Sequence, residues 1–340
     1  MMRSDKPIIA ITIAIVAIVI IGEVVVYTSD YTDYNATASY DTASGTVHYE
    51  ISASGSKVYS AMIIDHVRPT DRVYLYYDGD YESAVEDVTV AVGARELTQD
   101  YYIDQLQAVL KYRNIQAEIV DADRLAELMN LSGTGQNVVC ISGALPVTVY
   151  DGSSSSAIFS WLDSGGNLFW AGNLIGRYYS TTEEIVEVPS GFQSMFFGSE
   201  CLNTGDTNKA TEEVTDNGLT HGLSLVNNDT KYGIDISRIS GRDTLSTGFV
   251  NNGYTSVSAV QYGSGSIFVF GGDYSNNQRN DIAQIIASGI SPSSSIVAEN
   301  DGTVTRGTVK EDMAATGSDL GIYIYLGGYY PVYGRLCILS

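Results

Sequence analysis

The 340-residue sequence predicts an α/β domain built on a parallel sheet, a small antiparallel β unit, and one transmembrane helix at the N-terminus. Three observations predict this fold class. An apolar run opens the chain, apolar strands alternate with helical segments between residues 72 and 290, and strand-like segments lie on both sides of that region. Apolar residues make up 44% of the chain and charged residues 17%, which is typical of a protein with a packed core.

The N-terminal segment predicts a transmembrane signal anchor over residues 1–27. Residues 8–27 are apolar except for Thr12, Gly22 and Glu23, and as a helix they span about 30 Å, the thickness of the hydrocarbon core. Basic residues precede this run, so the positive-inside rule predicts a single-pass protein of the cell membrane with an extracytoplasmic C-terminal domain. A cleaved signal peptide is the alternative, and the sequence leaves cleavage open.

The charge of the chain limits its partners. Its 40 acidic and 18 basic residues give a net charge of −22, so nucleic acid is not an expected partner. Export would make three sequons candidates for glycosylation, and the three cysteines allow one disulfide whose pairing stays open. The sequon asparagines are Asn35, Asn130 and Asn228, and the cysteines are Cys140, Cys201 and Cys337.

The predicted β unit has two parts. Residues 28–45 lack a helical period and are predicted to be a stalk. Alternating apolar residues and the sequence Ser54-Gly55-Ser56 predict a β hairpin over residues 46–68. Residues 291–340 contain further strand-like segments, and we expect this C-terminal β segment to pack with residues 46–68.

The central region, residues 69–290, alternates strands and helices. Nearly continuous apolar strands of this kind indicate a parallel sheet covered on both faces. The predicted strands are Val73–Tyr77, Ala117–Val120, Val138–Ile141, Leu168–Ala171 and Ile267–Phe270, and the predicted helices lie near residues 98–113, 123–129, 153–162 and 281–288.

Three motifs in this region resemble those of a known family. Residues 161–172 (WLDSGGNLFWAG), 217–223 (NGLTHGL) and 262–273 (YGSGSIFVFGGD) resemble, in order and spacing, the ThuA-like branch of class I glutamine-amidotransferase-like domains. The resemblance implies a flavodoxin-like three-layer sandwich. It also implies that Asn173 stands where the nucleophilic cysteine of active members would be, and the His-x-Glu pair of those members is missing at Asp273-Tyr274-Ser275. It therefore argues against amidotransferase activity.

The carboxyl edge of the predicted sheet is the candidate ligand site, since ligands of open α/β sheets bind there. The expected ligand-binding residues are Asp78, Asp80, Gly143, Asn173 and Asp273. Asp78, Asp80 and Glu82 are also candidate metal ligands, because hard cations prefer carboxylate oxygens. The alternative is a solvated acidic turn. No cofactor is predicted, since neither a dinucleotide fingerprint nor a P-loop is present. Cys140 lies within a strand and is interpreted as a core thiol.

These observations favour a membrane-anchored, non-catalytic domain that binds a polar ligand, a surface glycan or a protein partner, or that has a structural role. Two alternatives stay open. One is a metal-assisted extracytoplasmic hydrolase that uses Asp78, Asp80 and Asp273. The other is an accessory subunit of a membrane complex, with Glu23 as its contact inside the membrane.

Overall fold

The computed structural model describes residues 23–31, 34–68, 72–85, 88–90, 95–97, 99–203, 213–214, 232–251, 254–271, 276–326 and 330–332. The chain forms two compact units. Unit 1 comprises Met1–His66 and Ser295–Ser340, and unit 2 comprises Val67–Ser294. The chain therefore starts in unit 1, builds unit 2, and returns to unit 1.

Unit 1 is an antiparallel sheet in which one long strand pairs with three others. The described strands are β1 (Glu23–Tyr31), β2 (Tyr34–Asp41), β3 (Thr46–Asp65), β19 (Ser295–Ala314), β20 (Gly321–Leu326) and β21 (Tyr330–Val332). Their order is β1-β2-β3-β20-β21, and β19 pairs with β3 along the opposite edge. The first half of β3 pairs with β2 and the second half with β20.

The β3–β19 ribbon folds over on itself. Tyr49 and Tyr59 lie ten positions apart on β3, which would be about 33 Å in a straight strand. Their ring centroids are only 6.3 Å apart, and Asn300 of β19 donates a hydrogen bond of 2.7 Å to the Tyr49 hydroxyl. The register of β19 shifts next to Arg306, whose φ is +38°, opposite the point where β3 folds. Each strand of the ribbon therefore contributes to both layers of a folded sheet, as at the corners of orthogonal sandwiches.

The two layers enclose the core of unit 1. Alternate residues of β3 point into it, as expected for a sheet with one buried face. The cluster includes Val47, Tyr49, Ile51, Tyr59, Ala61 and Ile63 of β3, together with Ala36 and Tyr40 of β2 and Ile322 and Ile324 of β20. The predicted hairpin over residues 46–68 is wrong, because β3 bends at the level of Ser54–Ser56 without breaking its pairing with β19. Residues 34–41, expected within a stalk, form β2.

Unit 2 contains a mixed sheet of ten strands among the described residues. Five are parallel, in the order β7-β4-β8-β10-β18, and β17 continues the sheet antiparallel to β18. These strands are β4 (Arg72–Tyr76), β7 (Ala117–Val120), β8 (Gln136–Cys140), β10 (Asn167–Ala171), β17 (Tyr254–Tyr262) and β18 (Gly265–Phe270). Beyond β17 come β13 (Leu202–Asn203), β14 (Glu213–Val214), β15 (Gly233–Ile234) and β16 (Thr244–Asn251).

Two small sheets and five helices complete the description of unit 2. The small sheets are β5 (Val88–Val90) with β6 (Arg95–Leu97), and β9 (Leu145–Pro146) with β11 (Tyr178–Ser180) and β12 (Ile185–Glu187). The helices are α1 (Gln99–Tyr112), α2 (Ala122–Met129), α3 (Ala157–Asp163), α4 (Phe192–Phe197) and α5 (Asn276–Ser288), with a 3-10 turn at Ile236–Arg238. Helix α1 packs against α5, and α2 packs against α3.

The predicted fold class, a flavodoxin-like three-layer sandwich with a parallel core sheet, is wrong for this chain. The sheet of unit 2 is mixed, because β17 hydrogen-bonds along the whole length of β18 and carries further antiparallel strands with it. Unit 1 is antiparallel throughout its described strands. β-Strands are therefore the main secondary structure of both units.

The predicted transmembrane helix is also overturned. No helix within the described ranges is long and apolar enough to cross a membrane. Glu23–Tyr27, the last part of the predicted span, belongs to strand β1, and residues 8–22 lie outside the described residues. The structure therefore does not support the signal anchor over residues 1–27, the single-pass cell-membrane location or the extracytoplasmic domain that followed from it.

Candidate functional site

The carboxyl ends of β4, β8 and β10 bring some of the predicted site residues together. Gly143, after β8, contacts Asn173, after β10, because a Cβ atom added at Gly143 would lie 2.8 Å from the Asn173 nitrogen. Gly143 has a φ of +66°, a conformation that glycine adopts at little cost. Asp78 follows β4 at the same edge. Asp273 lies outside the described residues, so its predicted place in the site stays a prediction.

Gly143 and Gly172 together form a hollow that we call the glycine niche. Gly172 has a φ of +113°, and a Cβ atom there would lie 3.0 Å from the Gly143 Cα. The Cγ2 methyl of Val85 fills the niche, since it would lie 2.8 Å from a Cβ atom added at either glycine. Both backbones approach Val85 this closely because neither residue carries a side chain.

The segment Ser83–Val85, which we call the edge strap, crosses this edge of the sheet. The Ala84 N–H donates to the Ser142 carbonyl at 2.9 Å, and the Ser83 hydroxyl donates to the same carbonyl at 3.2 Å. The Asn173 side-chain amide donates to the Ala84 carbonyl at 3.4 Å. The chain's own main chain and one valine side chain thus occupy the space beside Gly143 and Asn173, two of the predicted ligand-binding residues.

Asp78 has a structural role. Its Oδ2 accepts a hydrogen bond from the Ala122 N–H at 3.0 Å, and its Oδ1 accepts one from the Asp80 N–H at 2.9 Å. Ala122 is the first residue of α2, whose N-cap Asp121 accepts from the Arg124 N–H at 2.8 Å. Two carboxylates therefore satisfy two of the donors at the start of this helix, where negative charge is favourable.

The three predicted metal ligands do not form a ligand set. Asp80 and Glu82 are exposed, and both oxygens of Asp78 already accept backbone hydrogen bonds. The part of the chain that the structure describes holds no group of three or more His, Cys, Asp or Glu residues placed to bind a metal ion. The solvated acidic turn, the other interpretation of this segment, agrees with these positions.

Asn173 is held by its own turn. Its Oδ1 accepts a hydrogen bond from the Leu174 N–H at 2.9 Å. Its main-chain carbonyl accepts from the Trp170 indole N–H at 2.6 Å and from the Tyr232 hydroxyl at 3.3 Å. A carboxamide is not a nucleophile, so this position supports the geometry of the edge and offers no group for acyl transfer.

The described thiols are buried. Cys140 is fully buried, and burial raises the pKa of its thiol to about 11. Burial likewise raises the pKa of the Cys201 thiol to about 12. Both are free thiols, and Cys337 lies outside the described residues. Because the thiolate is the reactive form, neither described cysteine is activated near neutral pH.

Two glycines of the resemblance motifs, Gly166 and Gly265, pack near Trp161 at the opposite edge of the sheet together with Gly133. A Cβ atom on Gly166 would lie 2.3 Å from the Trp161 ring, and one on Gly265 would lie 2.1 Å from the Gly166 carbonyl oxygen. A Cβ atom on Gly133 would lie 2.4 Å from the Trp161 carbonyl oxygen. Gly166 and Gly265 therefore have a packing role away from the edge strap, whereas Gly172, the last residue of the first motif, belongs to the glycine niche. The motif over residues 217–223 lies outside the described residues.

The predicted glycosylation sites are scattered. Asn35 is half-buried in β2, whereas Asn130 is exposed at the end of α2, where its side chain donates to the Ala126 carbonyl at 2.8 Å. Asn228 lies outside the described residues. Sequence reasoning missed Ser83 and Val85, and no motif in the sequence marks them, since their role depends on loops that follow β8 and β10.

Comparisons with known proteins assign no family. No family model and no curated protein matches the chain. Among solved structures, an exo-β-1,4-mannosidase from Opitutaceae bacterium strain TAV5 matches at 12% identity and a TM-score of 0.36, over 64% of this chain and 34% of that one. A β-galactosidase from Rahnella sp. R3 matches at 15% identity and a TM-score of 0.37, over 65% of this chain and 31% of that one.

A third match covers nearly the whole of the matched protein. A cytoplasmic protein from Salmonella typhimurium LT2 matches at 10% identity and a TM-score of 0.37, over 64% of this chain and 96% of that one. The chain spans about a third of the length of the two glycosidases. TM-scores this low carry no argument about fold or activity.

Proposed function

We propose that this chain is a binding or structural protein without catalytic activity. In this proposal residues 69–290 are a non-catalytic relative of the ThuA-like amidotransferase-like domains, with Asn173 in place of the nucleophile. The motifs quoted from the sequence support the relationship, and the buried thiols and the capping role of Asp78 support the lack of catalysis.

One observation supports the proposal: the edge strap occupies the carboxyl edge of the sheet at the ends of β8 and β10. A catalytic centre needs room for a substrate beside its reacting groups. Here Val85 occupies the glycine niche, and the main chain of Ala84 takes up the Ser142 carbonyl and the Asn173 amide. The groups that would surround a substrate at this edge bind the protein itself.

Metal titration of two matched variants tests the proposal. Thermal unfolding of the full chain is measured with and without millimolar Mg²⁺, Ca²⁺ or Mn²⁺, for wild type, Asp78→Asn and Asp80→Asn. We expect no metal-dependent shift in any of them. Asp78→Asn lowers stability by about 1 kcal/mol with or without metal, because it weakens the cap of α2. Asp80→Asn, on an exposed side chain, leaves stability unchanged.

A metal-assisted hydrolase gives the opposite pattern. Its melting temperature rises with metal, and the rise disappears in Asp80→Asn, whose side chain has no part in the cap. That result, or hydrolysis of chromogenic ester, amide or phosphate substrates that is lost in Asp80→Asn, would overturn the proposal.

A further inference from the structure

We infer that dissolved salt stabilises the folded chain: cations of the solvent screen the repulsion between its surface carboxylates, and the fold weakens at low ionic strength. The screening is diffuse and involves no bound metal ion. It is therefore separate from the proposed binding or structural role, and it defines the ionic conditions that the chain needs to stay folded.

The acidic side chains outnumber the basic side chains that could pair with them. The chain has 40 Asp and Glu residues and 18 Lys and Arg residues, so 22 carboxylates stay without a cationic partner even if every basic residue pairs with one acid. Among the side chains that the structure describes, Asp281 is the one acidic residue that is buried. The excess charge therefore lies on the surface, where it repels itself and where solvent cations can reach it.

The carboxyl edge of the unit 2 sheet shows this excess locally. The loop that carries Asp80 and Glu82 meets the turn after β11, because the Glu82 N–H donates to the Thr181 carbonyl at 3.3 Å. That turn carries Glu183 and Glu184, whose N–H groups donate to the Thr181 hydroxyl at 3.1 and 3.0 Å. All four of these acidic residues are exposed. Two contacting segments thus present carboxylates to the same solvent.

Tyr81 responds to the negative charge at this edge. Burial raises the pKa of its hydroxyl, and the charges of Asp78 and Asp123 raise this pKa further. Both effects oppose the appearance of another negative charge on the tyrosine. The carboxylates of this edge therefore repel negative charge on their neighbours.

Ion pairing relieves the excess only in part. Arg124 serves two acids at once, since its Nη1 lies 2.8 Å from Glu127 and its Nε lies 3.6 Å from Glu118. All three side chains are exposed, and exposed ion pairs contribute little to stability. Glu118 and Glu127 nevertheless have a cation beside them, which makes them the natural comparison for Glu183 and Glu184.

The salt concentration sets the range of the repulsion. The Debye length is about 10 Å at 0.1 M ionic strength and about 3 Å at 1 M, so the repulsion between separated surface charges is largely removed between these concentrations. The folded state holds its carboxylates closer together than the unfolded chain does. It therefore gains more from the screening.

Thermal unfolding of the full chain at pH 7 in 0.1 M and 1 M KCl tests this inference. We compare wild type with the double variant Glu183→Gln/Glu184→Gln, which removes two charges from the turn. The matched control is Glu118→Gln/Glu127→Gln, which removes two charges that face Arg124. We expect the melting temperature of wild type to rise by at least about 5 °C with KCl.

The variants separate charge screening from a general effect of salt. Glu183→Gln/Glu184→Gln should melt higher than wild type in 0.1 M KCl and gain less from 1 M KCl, whereas the control should not melt higher than wild type in 0.1 M KCl. No rise with KCl in wild type, or the same rise in all three proteins, overturns the inference. The metal titration is run with 1 M KCl in every sample, so its outcome does not depend on screening and the two proposals fail separately.

Discussion

Gly166→Ala should destabilise unit 2 strongly. The added Cβ would lie 2.3 to 2.6 Å from three atoms of the Trp161 ring. That ring is completely buried, and its indole N–H donates to the buried Gln136 side chain at 2.9 Å, so it has no direction in which to move freely. Gly133 and Gly265 close the other sides of the same space.

The size of the effect follows from these contacts. Overpacking a core position costs about 1–3 kcal/mol. Displacing Trp161 adds the loss of its hydrogen bond, about 1 kcal/mol. The sum, about 3 kcal/mol, corresponds to a fall in melting temperature of roughly 6–12 °C for a unit of this length.

Urea unfolding followed by tryptophan fluorescence measures this change. Trp161 and Trp170, the two tryptophans of the chain, both lie in unit 2, so the signal reports that unit. Gly79→Ala is the control, because Gly79 also lies in unit 2 and a Cβ atom there meets only the Tyr77 side chain, at 3.5 Å. In a Trp161→Leu background the cost of Gly166→Ala should shrink. Equal costs in both backgrounds, or a Gly166→Ala no worse than Gly79→Ala, would refute the reasoning.

Three further predictions concern unit 2. Cys140, whose thiol pKa burial raises to about 11, should react with a thiol reagent at neutral pH only at the rate of unfolding, and rapid labelling of native protein would contradict this. Arg68→Met should lower the free energy of unfolding in urea by about 2 kcal/mol, because the guanidinium lies over the stacked Phe169 and Phe268 rings, and an unchanged midpoint would count against it. The hydroxyl of Ser156 lowers the pKa of Asp151, so the ionised carboxylate stabilises the folded protein at pH values above its ordinary pKa of about 3.9. The difference in unfolding free energy between wild type and Asp151→Ala should therefore vanish as the pH falls through the lowered pKa of the folded state.

Local patterns predicted the elements of unit 2 well. The helix predicted near residues 98–113 is confirmed as α1, and the one near 123–129 as α2. Their apolar residues recur with the helical period, a pattern that is visible in the local sequence. The strand predicted at Ile267–Phe270 is confirmed within β18, and its continuous apolar run is likewise a local pattern.

Long-range pairing was beyond these patterns. The apolar N-terminal run has the length of a membrane span, and length alone cannot show that Glu23–Tyr27 pairs with β2 instead. Ser54-Gly55-Ser56 signals a turn, yet the continuous partner β19 keeps the strand paired through the bend. Asp78 was placed at the correct edge, but its bond to Ala122 depends on the position of α2, which the sequence pattern does not reveal.

The folded β3–β19 ribbon constrains the synthesis of the protein. His48 on β3 and Asp312 on β19 are neighbours across the ribbon but lie 264 positions apart in the chain. During synthesis on the ribosome, β1, β2 and β3 emerge first. The edge of β3 that pairs with β19 stays unpaired until all of unit 2 has been made. Contacts so distant in sequence are slow to form. Unit 1 therefore completes last, and a chain that ends before Ser295 leaves β3 without β19, its partner of equal length.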